Sequence, residues 1–95
     1  MTAYVVADIE ITDPEAYETY RRDVPAVIAA YGGRYLVRGG ATKVLEGDWQ
    51  PRRMVILEFP SMRQAEAFHG SAEYQALMAI RVHASNSRLV AVEGC

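Results

Sequence analysis

Two stretches of this sequence, Arg53 to Phe59 (RMVILEF) and Arg88 to Glu93 (RLVAVE), are largely apolar at odd and even positions alike. In an extended chain successive side chains point to opposite sides. Met54 and Ile56 therefore oppose Val55, Leu57 and Phe59, and Val90 and Val92 oppose Leu89 and Ala91. A sheet with one side open to water carries polar residues on that side. A fold for this chain must cover both faces of its sheet, with helices on one and something else on the other.

The rest of the chain supplies two further strands and two helical regions. Tyr4 to Ile11 (YVVADIEI) alternates Val5, Ala7, Ile9 and Ile11 with Tyr4, Val6, Asp8 and Glu10, the period of a strand. Thr12-Asp13-Pro14-Glu15 then starts a helix: Asp13 or Thr12 caps it, Pro14 suits the first turn, and Glu15 meets the positive end of the macrodipole. Tyr17, Tyr20, Val24, Val27, Ile28 and Tyr31 follow at helical spacing until Gly32-Gly33. Pro25 lies inside that run, and its missing donor predicts a kink or break near Asp23 and Val24 that leaves the helix in two pieces.

Arg34 to Arg38 (RYLVR) reads as a strand, Gly39-Gly40 interrupts it, and Lys43 to Glu46 reads as its continuation or as a short separate strand. Gly47 to Pro51 is loop. After the strand Arg53–Phe59, Ser61 caps a second helix with Gln64 as capping-box partner, and Gly70 bends it before Ser71 caps a further stretch bearing Tyr74, Leu77, Met78 and Val82. The order is strand, helix, strand, strand, helix, strand. This is the split β-α-β pattern of a ferredoxin-like α+β domain, an antiparallel sheet with helices on one face, here spanning residues 1–95. The other face is expected to be covered by a second copy of the chain.

Composition narrows the function classes. Ten basic against twelve acidic residues give a charge of −2, which disfavours nucleic acid as a partner because phosphate binding needs a basic face. No apolar stretch reaches the length of a membrane helix, and no basic region precedes the first apolar residues, so the reading is a cytoplasmic protein with no membrane partner. The single cysteine, Cys95, cannot form an intramolecular disulfide, and it reads as an incidental exposed thiol. His69 and His83 stand fourteen apart without metal-ligand spacing. The glycine pairs match neither phosphate-binding order, and no nucleophile elbow occurs, so the chain gives no motif for a metal, a cofactor or a hydrolase.

The segments GGRYLVRGG (Gly32–Gly40), LEGDWQPRR (Leu45–Arg53), ILEFPS (Ile56–Ser61) and SAEYQAL (Ser71–Leu77) occur together and in order. In them, and over nearly its full length, the chain resembles the bacterial family known as domain of unknown function 1330. The resemblance implies a dimeric α/β barrel, in which two ferredoxin-like sheets face each other. Relatives in that superfamily include small cofactor-free monooxygenases, lactone isomerases and haem enzymes. It thus implies either a cofactor-independent, monooxygenase- or isomerase-like enzyme acting on a small, partly apolar molecule, or a non-enzymatic ligand-binding or stress-associated dimer.

Two groups of residues are candidates for a site. If Val5, Ala7 and Ile9 face the helices, then Asp8 faces the space between the sheets, where Arg38 and Glu58 from neighbouring strands would join it. Two acids beside one base can form a catalytic floor, with a carboxylate as proton carrier and the guanidinium holding an anionic oxygen. The same three residues could equally form an ion-pair network across a dimer seam. Tyr74 and Arg81 share one helix face and could grip a carboxylated ligand, with His69 nearby; alternatively Tyr74 packs in the core and Arg81 caps or pairs with an acid of the first helix. Tyr17, Tyr20 and Tyr31 read as core, and Trp49 as a residue packed under its own loop or, preferably, against a partner.

Overall fold

The structure, a computed structural model, describes residues 1–95. Its elements are β1 (Ala3–Ile11), α1 (Pro14–Ala30), β2 (Arg34–Arg38), β3 (Met54–Phe59), α2 (Met62–Gly70), α3 (Ala72–Ala84) and β4 (Ser85–Glu93). The strands form one antiparallel sheet in the order β2-β3-β1-β4. β1 lies at the centre, and the three helices cover one face. This is the ferredoxin-like α+β arrangement.

The helix ends are set by local chemistry. The Asp13 carboxylate accepts from the Ala16 N–H at 3.1 Å, Ser61 accepts from Gln64 N–H at 3.1 Å, and Ser71 accepts from Tyr74 N–H at 3.1 Å. Ser71 thus ends α2 and starts α3 in a single residue. The Gln64 side chain does not close a capping box; it reaches across to the Tyr31 carbonyl at 3.0 Å and ties α2 to the end of α1. That end is a Schellman turn, with Gly33 N–H on Ile28 O at 2.9 Å, Gly32 N–H on Ala29 O at 3.0 Å, and Gly32 at φ +79°.

Three expectations about the elements need correction. α1 runs unbroken through Pro25. The carbonyl that Pro25 leaves without a donor is that of exposed Arg21, where water can serve it, while buried Val24 and Ile28 on either side hold both halves to the sheet. Lys43–Glu46 forms no strand: the segment from Gly39 to Arg53 is a loop whose backbone bonds the sheet only at its two ends, Gly39 N–H to Met54 O and Ile9 N–H to Arg53 O. β4 starts at Ser85 rather than Arg88, since β1 extends to Ile11 and pairs Ser85, Asn86 and Ser87 with Ile11, Glu10 and Ile9.

The core lies between helices and sheet. Ala3, Val5, Ala7 and Ile9 of β1 meet Leu57 and Phe59 of β3 and the helix residues Tyr17, Tyr20, Val24, Ile28, Ala65, Phe68, Tyr74 and Ala84. Phe59, Phe68 and Tyr74 are the largest fully buried side chains, each contributing about 1.5–3 kcal/mol by leaving water. Their rings stack in sequence, Phe59 to Phe68 at 5.1 Å and Phe68 to Tyr74 at 4.4 Å between centroids.

On the opposite face the register places Val37, Ile56, Val6 and Val90 side by side, an apolar row crossing all four strands. Tyr4 and Val92 extend it on one side, and Met54 flanks Asp8 on the other. Val90 and Val92 are 61% and 51% exposed. The second apolar face inferred from the sequence is therefore present, and no helix of the chain covers it.

Candidate functional site

Asp8, Arg38 and Glu58 are not brought together. Asp8 and Glu58 do share the outer face of the sheet, but Asp8 stands opposite Met54 whereas Glu58 stands opposite Tyr4. Four steps along β1 separate the two positions, roughly 13 Å at about 3.3 Å per residue. Arg38 is on the other face altogether. A β-bulge between Tyr35 and Val37 inserts one residue, so Val37 rather than Leu36 opposes Ile56, and Arg38 opposes Val55 on the helix side. There its guanidinium lies 4.5 Å from the centroid of the Tyr35 ring.

Each of the two acids has its own partner. Glu58 accepts from Arg34 Nε at 2.7 Å. Asp8 accepts from the backbone N–H of Arg52 at 2.9 Å and from the indole N–H of Trp49 at 3.0 Å. These two bonds, the backbone one foremost, hold the Asp8 carboxyl below its ordinary pKa. A carboxylate so stabilised is a poor proton carrier at neutral pH. The two bonds anchor the loop Gly39–Arg53 over the end of the sheet, with Arg52 also 3.6 Å from Glu10.

The second group comes closer to a site. Tyr74 and Arg81 both line a cavity between the helix layer and the sheet, together with Tyr17, Tyr20 and Val24 of α1, Val5 and Ala7 of β1, Tyr35 and Arg38 of β2, and Arg53. The hollow, about 40 Å³, is mostly apolar. Its polar groups are phenols and guanidiniums. The Tyr20 and Tyr74 hydroxyls meet at 2.9 Å. Burial, reinforced by the neighbouring Tyr74 phenol, drives the Tyr20 hydroxyl far above its ordinary pKa. Burial likewise raises Tyr17 and Tyr35, against the opposing pull of nearby Arg53. These phenols stay protonated and act as hydrogen-bond donors.

Arg81 is 5% exposed and pairs with no acid of α1 or of any other element. One of its terminal nitrogens donates to the Ser87 hydroxyl, while its Nε has no partner. Its place in the last turn of α3 sets its charge against the negative end of the macrodipole, which offsets part of the cost of burial. Arg53 resembles it, with a buried Nε that also lacks a partner. Gly39, at φ +72°, sits against that guanidinium and donates to Met54 O at 2.7 Å; a β-carbon there would overlap Arg53. The turn after β2 thus fixes where Arg53 lies.

His69 does not reach this cavity. It is exposed at the end of α2, its ring 5.4 Å from that of Tyr74 on the outer side, and its carbonyl accepts from Gln75 at 2.7 Å. Arg53, Tyr17, Tyr20 and Tyr35 were not singled out from the sequence as site residues. The tyrosines were legible as inward-facing, but Arg53 looked like an ordinary charge at the start of a strand.

This architecture places the chain in the class of small ferredoxin-like α+β proteins. The chain belongs to the family described as domain of unknown function (DUF1330), which it matches over residues 2–95. No curated protein sequence matches it. Among solved structures it is similar to a protein of unknown function from Rhodopseudomonas palustris, at 22% identity, covering 99% of this chain and 82% of that one, with a TM-score of 0.77. A dimeric ferredoxin-like protein of unknown function from Jannaschia sp. CCS1 aligns at 13% identity over 99% of this chain and 100% of that one, TM-score 0.66. SnoaB, a cofactor-independent oxygenase from Streptomyces nogalater, aligns at 9% identity over 99% and 93%, TM-score 0.63. At these identities the likeness is one of fold.

Proposed function

We propose that the protein is a homodimeric small-molecule enzyme of the cofactor-independent, monooxygenase- or isomerase-like kind, binding a small, partly apolar substrate between the helices and the sheet. The observation that carries this reading is the buried Tyr20–Tyr74 hydroxyl pair at the wall of an apolar cavity. Two phenols that bond each other have two protons and use one between them, so a donor is left for a third group. Oriented donors in a water-poor hollow stabilise charge developing on a bound oxygen far better than solvent does. The dimer is supported by the uncovered apolar row Val37–Ile56–Val6–Val90 and by the existence of a dimeric protein of this fold.

A second reading, a non-enzymatic ligand-binding dimer, has one observation in its favour. No carboxylate or histidine lines the cavity, so the protein itself offers no general base there. An enzyme built this way must take a substrate acidic enough to ionise by itself. The two readings part on turnover. Small phenols, quinols and ketones are screened by thermal shift, and each binder is then followed by oxygen uptake and product analysis in metal-free buffer. Conversion that falls in Tyr20→Phe while binding persists supports the enzyme; saturable binding without conversion of any binder supports the binding module.

A further inference from the structure

We infer that the ligand of this cavity is an organic anion, a small carboxylate or an acidic enol bound as its conjugate base, whose charged oxygen sits on Arg81 and Arg53. The inference rests on reading the hollow as the ligand site and names the chemistry that would fill it. Its first support is Arg81 itself. A guanidinium is charged at every accessible pH. Burying one with neither an acid beside it nor a partner for its Nε is costly, and the cost falls when an anion enters. Ser87 is a neutral hydroxyl and cannot balance the charge.

The second support is independent of Arg81. Beside α1 the hollow adjoins a surface depression lined by Glu18, Arg21, Arg22, Pro25, Arg38 and Arg53. Arg21, Arg38 and Arg53 line both the depression and the cavity. Arg21 is neutralised by Glu18 at 2.6 Å and Arg22 by Asp23 at 2.9 Å, but Arg38 and Arg53 form no ion pair. A chain of net charge −2 has thus gathered unbalanced positive charge at one mouth and, behind it, one buried cation. Such a funnel concentrates anions and speeds their entry. The apolar residues and phenols between would hold the ligand's carbon skeleton and donate to its remaining oxygen.

The test uses matched pairs that differ in charge and are small enough for a hollow of about 40 Å³, formate against formamide and acetate against acetamide. Binding is followed by calorimetry and by the side-chain NMR signals of Tyr20 and Tyr74. The inference expects an acid to bind at least about tenfold tighter than its amide while shifting both tyrosine signals, and Arg81→Gln to erase that preference. Should Arg81→Gln not fold, Arg53→Gln at the half-buried mouth must reduce the preference. Arg38→Gln should slow association and flatten its dependence on salt. Acids and amides that shift the tyrosines equally would overturn the anion and leave the cavity reading intact. If none of the four compounds moves those signals at millimolar concentration, the anion and the cavity reading fall together.

Discussion

The indole N–H of Trp49 donates to the carboxylate of Asp8 at 3.0 Å, across forty-one residues of sequence. That bond and the Arg52 N–H at 2.9 Å fasten a loop with no regular structure to the central strand. The rest of the indole is outside: Trp49 is 55% exposed, and Leu45 and Val44 on the same loop are also exposed.

The pH dependence of this attachment follows from its sign. The carboxyl of Asp8 has a lowered pKa in the folded protein, so its contribution is fully present above the ordinary carboxylate value of 3.8 and is lost as pH falls through the depressed folded value. Tryptophan fluorescence should report the loop leaving the sheet in that acid range, since Trp49 is the sole tryptophan. In Asp8→Ala the emission should already be that of a detached indole at neutral pH, without the acid transition, and stability should fall by about 1–2 kcal/mol. An acid transition of unchanged midpoint in that variant would show that another carboxyl controls the loop.

The Tyr20–Tyr74 pair predicts non-additive stability changes. Either Tyr→Phe substitution alone leaves a buried hydroxyl that has lost its partner, costing about 1–3 kcal/mol. The double variant removes both polar groups and should cost clearly less than the two single losses combined, which a urea-denaturation double-mutant cycle measures directly. Simple additivity would mean that each hydroxyl finds a different partner when the other is gone.

How far the fold could be read in advance depended on whether a signal was local. Asp13, Ser61 and Ser71 act as caps because a cap needs only its next three residues, and the period of β1 gave its inward face correctly. Arg38 shows the limit. Its identity and strand were legible, but one bulged residue at Tyr35/Val37 exchanged its face, and nothing in RYLVR marks a bulge. Gly47–Pro51 was legible as loop, but the loop's full extent from Gly39 to Arg53 was not, since it is fastened by Asp8, a residue distant in sequence. Arg81 was legible as sharing a helix face with Tyr74, but its burial with no acid beside it depends on how the helices pack and became visible only once they were placed.

Ile56 sits in the middle of the apolar row, between Val37 and Val6. In the proposed dimer a lysine there would have to be buried against the facing copy, costing about 3 kcal/mol or more and raising the dissociation constant over about a hundredfold. Ile56→Lys is therefore expected to run as a monomer in sedimentation experiments while keeping the helical signal of the native protein. Unaltered dimers in that variant would move the association surface away from this face.

Pro25 supplies the last prediction, which tests the helix rather than the site. α1 passes through it with the carbonyl of Arg21 lacking its helical donor, and the side chain of Pro25 itself is only partly covered. Alanine restores that bond and removes the crowding of the preceding turn, and proline costs about 3 kcal/mol relative to alanine in a free helix interior. Because Val24 and Ile28 already hold the helix in place, part of that cost is absorbed by packing, and Pro25→Ala should stabilise the protein by about 1–2 kcal/mol in chemical denaturation. A loss of stability instead would mean that Pro25 sets a bend on which the seating of Tyr17 and Tyr20 against the sheet depends.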